Sequence, residues 1–90
     1  DRPHPDIAAN LMSLGDVYNS LDDYFRATES YEASLGVLKE IYGDRPHPDI
    51  ATILMNLGDL YSHLGDYSGA IESYQASLAM FKKIYSDRPH

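Results

Sequence analysis

Four histidines, His4, His47, His63 and His90, are the side chains of this sequence best suited to hold a metal ion or move a proton. Two of them precede a carboxylate, in His4-Pro5-Asp6 and again in His47-Pro48-Asp49. A closed zinc site takes four convergent nitrogen, sulfur or oxygen ligands, whereas His4, His47 and His90 are spread 43 positions apart. Asp22-Asp23 lacks the spaced oxygens and the glycine of a calcium loop. Serines are abundant, yet none sits in a strand-turn-helix elbow that would expose a nucleophile. No glycine-rich phosphate loop is present. The absence of cysteine excludes a disulfide framework, a thiolate metal site and a cysteine nucleophile. These residues predict no catalytic site, no metal site and no cofactor, and therefore not an enzyme.

The same two triplets reveal how the chain is organised. The segment Asp-Arg-Pro-His-Pro-Asp-Ile-Ala at residues 1–8 recurs letter for letter at 44–51, and it begins again at 87–90. Residues 1–43 and 44–86 share roughly 27 identities, enough to treat them as two copies of one unit, with 87–90 as the start of a third connector. A period of this size predicts a solenoid, in which each unit buries its apolar face on the next. It moves the expected function from a pocket to a surface, and it suggests a window onto a longer array.

Within each unit the apolar spacing is helical. Ile7, Leu11, Leu14, Tyr18 and Leu21 follow alternating steps of four and three, the mark of one amphipathic stripe, and Ile50, Leu54, Leu57, Tyr61 and Leu64 repeat it. A second stripe carries Tyr24, Ala27, Tyr31, Leu35, Leu38 and Ile41, then Tyr67, Ala70, Tyr74, Leu78, Phe81 and Ile84. The predicted helices are 5–20, 24–42, 48–63 and 67–85. The fold class is all-α: an α-α superhelix, or solenoid, of two antiparallel helix-turn-helix units. The eight tyrosines are read as core packers whose hydroxyls reach the edge of each hairpin.

Local signals agree. Pro5 and Pro48 suit the first helical turn, where a missing N–H costs nothing. Asp6 and Asp49 follow them at the positive end of the helix dipole. Gly43 is read as a left-handed helix stop, and Leu64-Gly65-Asp66 as a glycine stop joined to an Asp N-cap. In the first unit Asp22 replaces that glycine, so its turn is expected to be strained or differently shaped. Gly15 and Gly58 sit mid-helix, where glycine costs about 1 kcal/mol against alanine. Close approach of the partner helix at Ala27 and Ala70 is the expected return, so Gly58→Leu should overpack and destabilise.

Leu14-Gly15…Tyr18…Ala27…Tyr31…Ser34, repeated as Leu57-Gly58…Tyr61…Ala70…Tyr74…Ser77, resembles the tetratricopeptide repeat signature over nearly the whole chain. The unit is longer than that family's usual one. With its His-Pro-Asp entry and Leu-Gly-Asp-Tyr turn it resembles the long repeats of the kinesin light chain type. Two features differ from the family pattern: Leu11 and Leu54 stand where an early aromatic is common, and the proline closing the second helix is absent. His-Pro-Asp is also similar to the triplet of J-domain co-chaperones, but here it follows Ile41-Tyr42-Gly43-Asp44-Arg45 rather than a basic helix. Helix initiation is the better reading, since a residue before proline is pushed out of the helical region.

Stacked hairpins of this kind form a curved superhelix whose first helices line the inner face. Opposite the first-helix stripe lie Ala9, Met12, Asp16, Asn19 and Ser20, with Thr52, Met55, Asp59, Ser62 and His63 as counterparts. The resemblance implies that these positions hold an extended peptide, and that Asn56, where the first unit has Ser13, grips its backbone. Neither first helix carries Lys or Arg; the basic residues are Arg26, Lys39, Lys82 and Lys83 on the second helices and Arg2, Arg45 and Arg88 in the connectors. Chaperone-tail binders of the family clamp a C-terminal carboxylate with Lys, Arg and Asn, whereas this groove offers Asp16 and Asp59. A neutral or basic peptide or protein segment, with an apolar anchor for Met12 and Met55, is the expected partner.

The formal net charge of −7 removes the basic footprint that nucleic-acid binding needs. No apolar run is long enough to span a membrane, so no membrane partner is expected. With no cysteine and no visible signal peptide, the expected compartment is the cytoplasm. The function expected first is a non-catalytic protein-interaction scaffold. The alternative is a self-associating module: two units without polar capping helices leave apolar ends that head-to-tail stacking or helix exchange would cover, giving a homo-oligomer.

Overall fold

The computed structural model describes residues 2–86. The third connector at 87–90, with His90, lies outside them. Four helices follow one another: α1 (Pro5–Ser20), α2 (Tyr24–Tyr42), α3 (Pro48–His63) and α4 (Tyr67–Ser86). The first three have the bounds read from the sequence, and α4 runs one residue further. Helix α1 packs on α2, α3 on α4, and α2 on α3. The two hairpins therefore stack in chain order through the second helix of one and the first helix of the next.

Each helix starts on a side-chain acceptor. His4 and His47 have extended backbones, as a residue before proline must. The imidazole Nδ1 then accepts the backbone N–H of Asp6 at 3.0 Å and of Asp49 at 3.1 Å. The histidines thus satisfy an otherwise orphaned donor in the first helical turn, a task usually given to Ser, Thr, Asp or Asn. Asp23 and Asp66 cap the second helices, accepting from Arg26 N at 3.2 Å and Gly69 N at 2.9 Å.

The links inside the two hairpins share one shape. Asp23 N donates to Tyr18 O at 2.9 Å and Asp66 N to Tyr61 O at 2.8 Å, the wide bond of a Schellman motif. Asp22 and Gly65 occupy the positive-φ position at 60° and 83°. The first turn is therefore not reshaped; Asp22 adopts a backbone that favours glycine. Gly43 departs from its reading in a different way. Its φ of 59° pairs with ψ of −128°, which is not left-handed helix. With Arg45 N donating to Tyr42 O at 3.1 Å, it forms a type II′ turn that swings the chain into the connector.

The core contains Ala8, Ala27, Tyr31, Leu38, Ile50, Ile53, Leu57 and Leu60. Ser34 Oγ donates to Ala8 O and Ser77 Oγ to Ala51 O, both at 2.7 Å, pinning each hairpin with a buried bond. The close approach at Gly15 and Gly58 is real, but its partner is a tyrosine ring rather than Ala27 or Ala70. A Cβ on Gly15 would stand 2.9 Å from Tyr31 Cε1, and one on Gly58 2.7 Å from Tyr74 Cε1. Ala27 and Ala70 are buried in the helix seams.

The largest correction concerns the stripes. Ile50 and Leu57 are buried, but their counterparts Ile7 and Leu14 are exposed, as are Leu21 and Leu64. On α4, Tyr67, Tyr74, Leu78 and Tyr85 are exposed too, so they are not core packers here. Leu21 and Leu64 are C-cap residues, exposed in both hairpins; for the others the physical reason is the stacking. Helix α3 is covered by α4 on one side and α2 on the other, whereas α1 and α4 stand at the open ends. The stripe marks surface meant for a neighbouring hairpin, and only the inner helices have one on both sides.

Candidate functional site

The residues expected in the groove all lie on α1 and α3, at or near the surface. Ala9, Asp16, Asn19, Ser20, Met55, Asp59 and His63 are exposed, while Met12, Thr52, Asn56 and Ser62 are half-buried. Met12 packs against the core, so Met55 is the more open of the two proposed apolar anchors. A cavity of about 70 Å³ beside Met12 is lined by Ala8, Ala9, Ser34, Leu38 and Tyr42, with Asp49 of the second hairpin at its rim.

Asp16 and Asp59 are not free carboxylates. Tyr31 Oη donates to Asp16 Oδ1, and Tyr74 Oη donates to Asp59 Oδ1. The tyrosine crosses beneath the mid-helix glycine and emerges at the next residue, which fixes the carboxylate on the rim. Burial first, and then the Asp16 hydrogen bond, push the Tyr31 phenol far above the usual range. Tyr74 is raised mainly by its bond to Asp59. The glycine-then-aspartate order with a tyrosine fifteen residues after the aspartate was the available signal for these pairs, and sequence reasoning missed it.

Between the hairpins, Tyr61 Oη donates to Glu32 Oε2 at 2.6 Å. Burial and the Glu32 carboxylate push that phenol up to about 12. His63 stacks on Tyr24 with ring centroids 4.5 Å apart and an interplanar angle of 7°. It is therefore engaged at the hairpin junction as well as lying on the expected groove. His47 stacks on Tyr42 at 4.1 Å, and Arg45 lies over the same tyrosine at 5.7 Å. His47 is thus both a helix cap and a ring partner.

Among the described residues, no group of three or more His, Asp or Glu side chains converges as metal ligands would. His4 Nδ1 lies 3.8 Å from Asp6 and His47 Nδ1 4.0 Å from Asp49, and each of these nitrogens already accepts a backbone N–H. An open cleft of about 450 Å³ is lined by Lys39, Gly43, Asp44, Ile50, Met80 and Lys83. Its lysines belong to the last stretches of α2 and α4, where a cation complements the negative end of the helix dipole.

A protein assembled from stacked helical hairpins, each with a glycine under a tyrosine and an alanine in the seam, is a helical repeat protein. The family model described as tetratricopeptide repeat matches residues 6–83, and the chain belongs to that family. A comparison with the curated proteins finds no match. Repeats of this family mediate protein–protein interaction and are typically non-catalytic. Among the described residues, no helix is long and apolar enough to cross a membrane.

Proposed function

We propose that the chain binds an extended neutral or basic polypeptide segment along the exposed and half-buried residues of α1 and α3: Ala9, Met12, Asp16, Asn19 and Ser20 with Thr52, Met55, Asn56, Asp59, Ser62 and His63. The observation that carries this reading is the matched pair Asp16 and Asp59. Both are exposed, each has one oxygen held by a tyrosine hydroxyl, and neither helix supplies Lys or Arg to neutralise them. A carboxylate anchored in this way costs less to order around a cationic partner than a freely rotating one.

The test is fluorescence anisotropy against a panel of basic, neutral and acidic peptides. Asp16→Asn with Asp59→Asn keeps an acceptor for each tyrosine and removes both charges. Basic peptides should bind the parent protein in a salt-sensitive way and lose affinity for the double variant. Equal affinity for both proteins sinks this reading.

A second reading is self-association through the open ends. It is favoured by a separate observation: Leu14 on α1 and Leu78 on α4, both exposed, copy residues that lie in the seam between the hairpins.

A further inference from the structure

We propose that the open face of α4 receives the open face of α1 from a second copy, in the register by which α2 receives α3 inside the chain. This rests on the self-association reading and gives it a polarity and a set of contacts. Tyr67, Ile71, Tyr74, Leu78, Phe81 and Tyr85 line the outer side of α4. Each stands 43 positions after a residue that α2 uses against the core: Tyr24, Thr28, Tyr31, Leu35, Leu38 and Tyr42. Four of the six are identical, and the other two are as apolar or more so.

The complementary face is on α1. Ile7, Asn10, Leu14 and Val17 are exposed, and they stand 43 positions before Ile50, Ile53, Leu57 and Leu60, all fully buried on α3. The α2–α3 seam is therefore a worked example of the proposed contact, built from nearly the same side chains. No Lys, Arg, Asp or Glu is among these ten outer residues. That favours a second copy of the chain over a charged partner.

The polar contacts also have counterparts. Tyr61 with Glu32 becomes Tyr18 with Gln75 across the junction, and Gln75 keeps an acceptor for the tyrosine hydroxyl. His47 on Tyr42 becomes His4 on Tyr85. The stack of His63 on Tyr24 is lost, since Ser20 would meet Tyr67. Asn10 is the main weakening change, placing a polar amide where Ile53 is buried; its Nδ2 donates to Asp6 O at 3.1 Å. The junction is thus a weaker copy of the seam. Because the two faces differ, the contact is heterologous and adds copies head to tail without closing on a pair. A charge of −7 on every copy opposes it, so salt should strengthen it.

Sedimentation velocity over a wide concentration range tests this with Leu14→Asp, which disables the α1 face, and Leu78→Asp, which disables the α4 face. Both leucines are exposed, so each variant should stay helical, which circular dichroism checks. The parent protein should show a mass that rises with concentration past two chains, more steeply at high salt. Each variant alone should remain one chain. An equimolar mixture has one live face of each kind and should stop at two chains. Asn10→Ile should shift association of the parent to about tenfold lower concentration. A parent protein that stays one chain at millimolar concentration overturns both the reading and the inference, as does capture of a different helical protein by these faces while the parent stays monomeric. Single variants that still pair, or a mixture that does not, overturn the head-to-tail register while leaving self-association standing.

Discussion

Leu14 and Leu57 occupy the same place in two nearly identical hairpins, yet Leu57 is 2% exposed and Leu14 is 47% exposed. The residues that follow do not separate them: both read Leu-Gly-Asp. What differs is the neighbour. Helix α2 covers Leu57, and Leu14 has no such helix beside it.

The two leucines should therefore respond differently to truncation. Leu57→Ala removes a packed side chain and should cost about 2–5 kcal/mol, because the surrounding helices close the cavity only in part. Leu14→Ala should cost less than about 1 kcal/mol, as an exposed position does. Urea denaturation at low protein concentration measures both. Equal losses would show that the open end is covered in solution.

The same contrast applies to the glycines beneath the tyrosines. Tyr31 is 1% exposed and held between hairpins, whereas Tyr74 is 39% exposed. An added Cβ meets either ring at under 3.0 Å. Tyr31 has nowhere to move, so Gly15→Ala should destabilise by about 1–3 kcal/mol through overpacking. Tyr74 can tilt outward, and the better helix propensity of alanine, worth about 1 kcal/mol, should leave Gly58→Ala near the parent in thermal stability. A larger loss at Gly58 than at Gly15 would refute this account.

Asp22 holds a positive φ in a turn where the second hairpin uses Gly65. A non-glycine residue in the left-handed region costs roughly 1 kcal/mol or more, less for Asp than for most. Asp22→Gly should raise stability by up to about 1 kcal/mol and the melting temperature by a few degrees. The opposing contribution is the 3.1 Å bond that Asp22 Oδ1 accepts from Tyr24 Oη. A fall in melting temperature would mean that this exposed bond outweighs the backbone strain.

Alkaline pH should weaken the junction between the hairpins. Tyr61 is pushed up to about 12 in the folded chain by burial and by Glu32, against about 10 for an ordinary tyrosine. Between those values the folded state holds a proton that the unfolded state has lost, so stability falls as pH rises. The contribution is complete below about 10 and gone above the folded value near 12. An absorbance titration at 295 nm should show late-titrating phenols, Tyr31 among them, and Tyr61→Phe should lower their amplitude by one tyrosine. An unchanged late amplitude in the variant would show that Tyr61 titrates as an ordinary phenol.

The repeat itself determined most of the fold before any coordinate. Exact recurrence of the Pro-containing entry, two apolar stripes per unit and short Gly or Asp links allow little else than stacked hairpins, because each of those signals acts within a few residues of chain. The family followed from the same source, since the Leu-Gly…Tyr…Ala…Tyr…Ser pattern recurs in both units. Three things were decided only by tertiary structure. Tyr31 and Tyr74 reach Asp16 and Asp59 from a different helix; His63 leaves solvent in part to stack on Tyr24; and Ile7, Leu14 and Leu78 stay exposed although their copies at Ile50, Leu57 and Leu35 are covered wholly or in part. A side chain's periodicity reports which way it points from its own helix. Whether anything stands opposite depends on which helix packs there, and identical letters 43 positions apart meet different surroundings at the middle and at the ends of a stack.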